Sequence, residues 1–388
     1  MNIIKDKRIA IIGGGPGGLT LARLLQLRGA DVIVYERDVN KDVRVQGATL
    51  DLHEESGLKA LHDAGLIEAF KKNYRPGADR FRILDKHATI LFDEYAVENE
   101  SALDNKGRPE IDRGPLRKIL LDSLKPGTVV WDSQFISMQP ADGKWQLEFK
   151  NGTTAIADIV IAADGANSKI RPYITSVKPF FVGMTAIEGS VYDAEQKVPG
   201  INGLLKGGKL FVFGDSKTLI VSAKGDGSLQ FYTGFKTVEN WVTDSGIDFT
   251  DNNQLAGWFK KEFYDWDEIW LELFESAEPK FIPRPQYCMP PDQNWEAQPN
   301  LTMLGDAAHL MPPYAGEGVN MTMLDALELC NCLTDPSFNN TQDAIAAYEK
   351  QMRSRASEVA KMTLQQTAVL HSEDAIASIL DLFEQEVH

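Results

Sequence analysis

A glycine-rich loop at residues 13–18 constrains the fold of this chain more than any other feature. The loop follows an apolar strand predicted over residues 8–12 and precedes a helix that starts near Pro16. A second strand, predicted over residues 31–35, ends at Glu36. A GxGxxG loop alone is weak evidence, but strand, loop, helix, strand and terminal acid together form the fingerprint of a dinucleotide-binding βαβ unit.

Each part of this fingerprint has a physical role. The first glycine makes a tight turn, the second lets the backbone approach a pyrophosphate, the third lets the helix pack on the strand, and the acid accepts from a ribose hydroxyl. These residues are Gly13, Gly15, Gly18 and Glu36. The sequence therefore predicts an N-terminal unit that holds a dinucleotide.

Size and charge exclude several classes of protein. The 388 residues suffice for two or three domains of roughly 150 residues each. A formal net charge of −16 argues against a nucleic-acid partner, because neutralising phosphates requires clustered Lys and Arg. Three cysteines and six histidines show no spacing typical of a metal site or a disulfide framework. No apolar run reaches about 18 residues, so we expect no membrane partner. We further expect a cytoplasmic protein that is a monomer.

Two later stretches also place an acid directly after an apolar strand. Residues 158–163 lead into Asp164 and Gly165, and residues 301–304 lead into Gly305 and Asp306. The carboxyl ends of parallel strands face the crevice in which open α/β sheets bind ligands. We therefore expect both acids to lie beside a ligand, with Asp306 accepting a hydrogen bond from a polyol hydroxyl.

A Pro/Gly-rich loop follows Asp306 and feeds a helix predicted over residues 319–332. Its backbone amides and the positive end of the helix dipole are suited to an anion. His309 in this stretch is interpreted as structural, because its neighbours are small and apolar, with a catalytic role as the alternative.

Three polar residues elsewhere are candidates for facing a ligand. Arg44 lies in a polar loop, where a solvated cation is an equally good interpretation, and Asp51 follows it. Arg113 lies just ahead of a helix predicted from Pro115 and is placed to reach a phosphate or a polyol oxygen.

The remaining segments predict a second domain and a long helix. Residues 79–98 indicate a hairpin, and residues 180–281 alternate as a mostly antiparallel sheet that would cover a substrate cavity. A helix is predicted over 258–274 and a long one over 343–371. We predict a dinucleotide-binding domain from residues 1–75, 106–175 and 286–338, a substrate domain from residues 76–105 and 176–285, and a C-terminal bridging helix over 339–388.

In this order, the three motifs resemble the single-component FAD monooxygenases of the para-hydroxybenzoate hydroxylase fold. The chain is further similar, over nearly its whole length, to the flavin-dependent tetracycline-inactivating monooxygenases. The stretches that carry this second resemblance are 35–38, 49–53, 109–113 and above all 305–313. The resemblance implies an α/β protein in which a Rossmann-like FAD-binding domain is interleaved with a mostly antiparallel substrate domain and followed by a long C-terminal helix.

The resemblance also implies roles for individual residues. Glu36 would hold the adenosine ribose, Arg37 the adenine side, and Arg44 an FAD phosphate or NADPH. Asp164 would touch FAD and NADPH, and Asp306 the ribityl chain. The other implied FAD contacts are Asp51, Arg113, Pro313, Gly316, Gly318 and Asn320.

In the family that the chain resembles, the flavin carries the chemistry. NADPH reduces FAD, the reduced flavin takes up O2 as a C4a-hydroperoxide, and one oxygen goes to an electron-rich ring or enol carbon. We therefore predict no catalytic side chain and no metal. The expected outcome is hydroxylation, and thereby inactivation, of a tetracycline-type antibiotic.

The predicted substrate pocket departs from that family. Glu188, Lys209 and Gln230 stand where the tetracycline-inactivating enzymes have Gln, Arg and His, Tyr314 replaces a Phe beside the flavin, and Tyr232 replaces a Gly. Lys lacks the bidentate geometry of Arg, and Glu adds a charge that must be matched. Another phenolic or polyketide ring therefore remains an alternative substrate. A prenyl-chain reductase or epoxidase, and a non-catalytic binding protein with this fold, remain alternative functions.

Overall fold

A computed structural model describes residues 3–43, 47–96 and 108–386, with side chains described to residue 381. The candidate Arg44 lies outside these residues. The strands of the described residues are β1 Arg8–Ile12, β2 Asp31–Tyr35, β3 Leu50–Asp51, β4 Phe81–Asp85, β5 Ile90–Asp93, β6 Glu110–Ile111, β7 Val129–Val130, β8 Phe135–Ala141, β9 Lys144–Phe149, β10 Thr154–Ala157, β11 Ile159–Ala162, β12 Phe180–Val191, β13 Lys209–Gly214, β14 Lys217–Ala223, β15 Leu229–Lys236, β16 Ile282–Cys288 and β17 Leu301–Met303.

The helices are numbered in the same way. Those of the described residues are α1 Pro16–Leu27, α2 Lys59–Asp63, α3 Ile67–Lys71, α4 Arg113–Asp122, α5 Arg171–Ile174, α6 Ala194–Lys197, α7 Pro199–Leu205, α8 Trp241–Asp244, α9 Asn252–Glu262, α10 Leu271–Ser276, α11 Asp306–His309, α12 Gly318–Thr334, α13 Thr341–Leu370 and α14 Ala375–Glu386. None of the helices in this part of the chain is both long and apolar enough to cross a membrane.

A five-stranded parallel sheet forms the first domain, in the order β17-β11-β1-β2-β7. Its central strands are continuously apolar because helices cover both faces, and every residue of β11 is buried. Helix α1 begins at Pro16, whose missing N–H is not needed in the first turn, and buries Leu19, Leu21, Leu24 and Leu25. The parallel sheet expected from the glycine fingerprint is thereby confirmed.

A seven-stranded sheet forms the second domain, in the order β16-β12-β15-β14-β13-β4-β5. All its pairs are antiparallel except β13 with β4, so the expected mixed but mostly antiparallel sheet is confirmed. Leucine, valine and phenylalanine side chains on one face form a core with α7, α9 and α10. Because side chains alternate along a strand, the intervening residues face the other way, toward the first domain.

One helical prediction is wrong in part, and another is confirmed. The single helix expected over 258–274 is two helices, α9 and α10, because the chain leaves the helix at Phe263 and makes a short 3-10 turn over Glu268–Trp270. The long helix expected over 343–371 is confirmed as α13. A further helix, α14, follows it, and Ile376 and Ile379 of α14 pack beside Ile83 and Phe213 of the seven-stranded sheet.

Replacing Trp270 tests the helical core of the second domain. The side chain is fully buried, and its indole N–H donates to the Lys86 carbonyl at 3.0 Å. We expect Trp270→Ala to lower the free energy of unfolding by about 3–5 kcal/mol, measured by urea denaturation. Tyr264→Ala is the control, since Tyr264 is 82% exposed and its loss should change little. Equal effects of the two variants would contradict this account of the core.

Candidate active site

The glycine loop has the close backbone contacts that its predicted role requires. Gly13 has φ +116°, and a Cβ there would lie 2.1 Å from the Ala163 carbonyl oxygen of the neighbouring strand end. A Cβ at Gly18 would lie 2.1 Å from the Gly13 carbonyl oxygen. Gly15 differs, because a Cβ there would meet no atom within 4 Å. The first and third glycines thus permit backbone packing, and the second borders open space.

Glu36 is held beside this loop by backbone amides. The Gly14 N–H donates to one carboxylate oxygen at 2.5 Å and the Asp38 N–H to the other at 3.1 Å. The side chain is buried at the carboxyl end of β2. Arg37 is exposed next to it. The carboxylate is therefore oriented before any ribose arrives.

Asp164 follows β11 and keeps one oxygen without a hydrogen-bond partner among the described residues. The Lys169 N–H donates to Oδ2 at 2.8 Å, while Oδ1 is buried and unsatisfied. Burial raises the pKa of this carboxyl above its ordinary value, although hydrogen bonds from Ser168 and Lys169 oppose the shift. A buried oxygen without a partner at the carboxyl edge of a parallel sheet is suited to a ligand donor.

Arg171 joins the second and third motifs, a role that its sequence position did not reveal. Its Nε donates to the Ala307 carbonyl at 2.7 Å, and its Nη2 donates to the Asp306 carbonyl at 2.9 Å. The side chain is buried. The guanidinium therefore fixes the backbone of both acidic motifs relative to each other.

Asp306 begins α11 after Gly305, which has φ +60°. The residue is exposed by surface area, yet the surrounding protein desolvates its carboxyl and raises the pKa. The charges of His309, Arg113 and Arg171 lower that pKa in turn. A group at the base of an open cleft is accessible to solvent and still poorly hydrated.

A buried carboxylate on α12 supports this motif from beneath. Asp325 accepts from the Gly305 N–H at 2.9 Å, from His309 Nε2 at 2.6 Å and from Arg355 Nη2 at 2.7 Å. Burial raises the pKa of Asp325, but His309 and Arg355 outweigh it and bring the pKa below its ordinary value. Burial lowers the pKa of His309, and Asp325 more than reverses that shift. This buried pair agrees with the structural interpretation of His309.

Asp51, Gly316 and Asn320 come together on the facing side of the cleft. Asn320 Nδ2 donates to the Asp51 carbonyl at 3.0 Å, and the His53 N–H donates to Asn320 Oδ1 at 2.9 Å. A Cβ at Gly316, which has φ +70°, would lie 3.4 Å from an Asp51 carboxylate oxygen. Pro313 and Gly318 are exposed in the same loop.

Electrostatics also link this group to the second domain. Burial raises the pKa of Asp51, but a hydrogen bond from His53 and the charge of Lys209 bring it below the ordinary value. Lys209 lies on β13 of the seven-stranded sheet and forms an ion pair with Glu110 of β6. The cofactor-side and sheet-side residues therefore meet at one interface.

The predicted substrate residues share one face of the seven-stranded sheet. The register places side chains in cross-strand rows, opposite the face that packs on α7, α9 and α10. The first row is Lys209, Ser222, Gln230 and Ser190; the second is Phe211, Ile220, Tyr232 and Glu188; the third is Phe213, Thr218, Gly234 and Ala186. The face thus combines polar groups at one end with apolar and aromatic groups beyond.

The polar groups of this face bind one another. Gln230 Nε2 donates to Glu188 Oε1 at 2.9 Å, and Arg284 forms an ion pair with the other oxygen of Glu188. Arg284, on β16, supplies the counter-charge that Glu188 required, and the sequence pattern gave no sign of it. Its side chain stays 49% exposed. Glu188 and Gln230 are buried in their own pairing, whereas Arg284 is open to a ligand.

Arg113 reaches the sheet through the loop at residues 47–48. Its Nε donates to the Ala48 carbonyl at 3.0 Å, and the Ala48 N–H donates to the Tyr232 hydroxyl at 3.3 Å. Burial, with the nearby charge of Glu188, raises the pKa of Tyr232 to about 12. Tyr314 lies against the third row, since a Cβ at Gly234 would be 2.8 Å from its hydroxyl oxygen.

This geometry fits FAD. Gly15 borders open space, Asp164 Oδ1 has no partner among the described residues, and Asp306 lines the same sheet edge. A family model described as an FAD binding domain matches residues 6–211 and 293–363. The chain belongs to this family of FAD-binding monooxygenases, and it is an oxidoreductase.

Named relatives agree with that assignment. Monooxygenase asqM of Emericella nidulans is 29% identical, covering 95% of this chain and 97% of that protein. The 6-hydroxynicotinate 3-monooxygenase of Pseudomonas fluorescens is 26% identical, covering 95% and 94%. The crystal structure of the tetracycline destructase Tet(51) has a TM-score of 0.73 at 19% identity, covering 100% of this chain and 96% of that one.

Alanine at two glycines separates binding from packing. At Gly15, φ is −80° and the space is open, so Gly15→Ala should leave the unfolding free energy unchanged and weaken FAD binding about tenfold or more, or about 1.4 kcal/mol. Gly18→Ala should destabilise the fold by roughly 1–3 kcal/mol, because its Cβ overlaps the Gly13 carbonyl. Thermal unfolding and FAD titration measure the two effects. Unchanged FAD affinity in Gly15→Ala would contradict the role of this loop.

Asp325→Asn tests the support under Asp306. The variant places an amide among three donors, so we expect a loss of about 3–5 kcal/mol in the free energy of unfolding and a lower FAD content. Asp122→Asn is the control, because Asp122 pairs with Lys118 on the surface and should matter little. Urea denaturation of both variants checks this, and a change in Asp325→Asn no larger than in the control would refute it.

Proposed function

We propose that the chain is an NADPH-consuming, FAD-dependent monooxygenase that hydroxylates a tetracycline-type polycyclic substrate and thereby inactivates it. The observation that carries this proposal is that the loop of Tyr314 and Gly316 lies against both Asp51 and the third row of the seven-stranded sheet. A Cβ at Gly316 would lie 3.4 Å from an Asp51 carboxylate oxygen, and a Cβ at Gly234 would lie 2.8 Å from the Tyr314 hydroxyl oxygen. We infer that the cofactor loop would form one wall of a substrate cavity and the sheet face the other. The likeness of the whole chain to Tet(51), a tetracycline destructase, supports the proposal that this fold accepts a polycyclic substrate.

The residues of this chain would bind and orient FAD and the substrate. Gly15 and Glu36 would hold the diphosphate and the ribose, and Asp306 the ribityl chain. FAD, when bound, supplies electron transfer from NADPH and the activation of O2. The amides that begin α12 at Gly318 point their positive end toward the loop, where they would stabilise negative charge. The sheet face would exclude water and hold the substrate ring.

A second candidate keeps this chemistry on a smaller phenolic or heteroaromatic ring. Glu188, Gln230 and Lys209 are already paired within the protein, so they are less free to grip the long polar edge of a tetracycline. Arg284 is the half-exposed cation of this face and would suit a compact anionic ring. The likeness to 6-hydroxynicotinate 3-monooxygenase supports this alternative.

Product analysis decides between the candidates. The purified protein should absorb near 450 nm, as oxidised flavin does, and should oxidise NADPH faster when a substrate is present. We expect mass spectrometry to show the gain of one oxygen atom on a tetracycline. A gain only on simple phenols or hydroxypyridines would replace the first candidate with the second. A colourless protein that binds no added FAD would leave only a binding role.

A further inference from the structure

Four elements converge at Tyr314 beside the third row of the sheet. Thr218 comes from β14, Gly234 from β15, Tyr314 from the loop before α12, and His371 from the end of α13. The rings of Tyr314 and His371 meet edge to face, with centroids 4.9 Å apart at 75°. Thr218 Oγ1 lies 3.3 Å from His371 Nε2, within hydrogen-bond distance.

The hydrogen bonds of this cluster have a single proton order. His371 Nδ1 lies 2.8 Å from the Thr367 carbonyl, which can only accept, so Nδ1 carries the proton. His371 is fully buried, and burial lowers its pKa to about 4, with the charge of Lys236 acting in the same direction. The ring is therefore neutral, and Nε2 must accept from the Thr218 hydroxyl.

Gly234 provides the space for this cluster. A Cβ at this position would lie 2.5 Å from Thr218 Oγ1, 2.6 Å from His371 Nε2 and 2.8 Å from the Tyr314 hydroxyl oxygen. Three polar atoms thus converge over one residue that has no side chain. Any larger residue here would separate the loop from the sheet.

We propose that His371 is a positioning residue: Thr218 and Thr367 fix its ring, and this ring packs on Tyr314. His371 thereby holds Tyr314, and with it the loop of Pro313, Gly316 and Gly318, at a set distance from the substrate sheet. This inference rests on the proposed function, because it takes the loop as the cofactor wall and the sheet as the substrate wall. The spacing of the two walls determines how close a bound substrate ring lies to the flavin. Small displacements at this distance are costly, since a misplacement of about 1 Å lowers rates by about 100-fold.

The consequence concerns the fate of electrons from NADPH. When the substrate is correctly placed, substrate, NADPH, O2 and a proton yield hydroxylated product, NADP⁺ and water. When it is not, NADPH, O2 and a proton yield NADP⁺ and hydrogen peroxide, and the substrate is unchanged. Weaker contacts among Thr218, His371 and Tyr314 should therefore shift the products toward hydrogen peroxide while FAD stays bound.

Thr218→Val is the main test, with Thr218→Ser as the rescue. Thr233→Val is the matched control, since Thr233 is equally buried on β15 but bonds the Ile187 carbonyl instead of this cluster. In the full-length protein as purified, ¹⁵N-histidine spectra should show His371 protonated on Nδ1, and its Nε2 signal should move in Thr218→Val alone. The share of electrons lost to hydrogen peroxide should rise about tenfold in Thr218→Val, with FAD affinity within about threefold of wild type.

Each outcome decides something. If Thr218→Val does not fold, Thr218→Ala removes the same hydrogen bond to His371 and should give the same rise in hydrogen peroxide. A wild-type His371 protonated on Nε2, or a moved Nε2 signal with unchanged coupling, would overturn this inference and leave the proposed function intact. A wild-type protein that binds no FAD and oxidises no NADPH would overturn the proposed function, and the role assigned to His371 would go with it.

Discussion

The close approach of backbone to backbone at the glycine loop is the constraint on which the rest of the structure depends. Gly13 lies against the end of β11, and Gly18 brings α1 onto Gly13. Neither contact tolerates a Cβ, so the helix and two strands are locked at a distance that leaves Gly15 as the one of these three positions that borders open space. The close packing at Gly13 and Gly18 thus leaves the candidate ligand cleft open at Gly15.

Buried charges then connect the second and third motifs. Arg171 ties the Asp164 motif to the backbone of the Asp306 motif, and Asp325 holds the latter from below. Burying an ion costs free energy because the ion loses its hydration. Arg171 and Asp325 are stable here because each has several hydrogen-bond partners. Arg171 and Asp325 bind the backbone of Asp306 and Gly305, and they thereby determine where the Asp306 carboxyl lies.

The seven-stranded sheet contributes specificity by a different route. Its cross-strand rows place polar groups near β6 and apolar groups farther along, and pairing within the protein leaves Arg284 half-exposed while Glu188 is buried. Charged groups that already pair within the protein disfavour ligands that would need those groups as binding partners. The substrate question therefore turns on which polar atoms stay unpaired.

The sequence alone determined the local patterns: the glycine loop, the two acids that follow apolar strands, the alternation of the second sheet and the long helix α13. Each depends on neighbours in the chain, through strand and helix periodicity and the conformational freedom of glycine. Tertiary structure alone decided the partners of those residues. Arg284 neutralises Glu188 from 96 residues away, Arg171 reaches Ala307 across 136, and His371 meets Thr218 across 153. No local pattern encodes such contacts, because they form only when distant segments pack and burial makes an unpaired charge or hydroxyl costly.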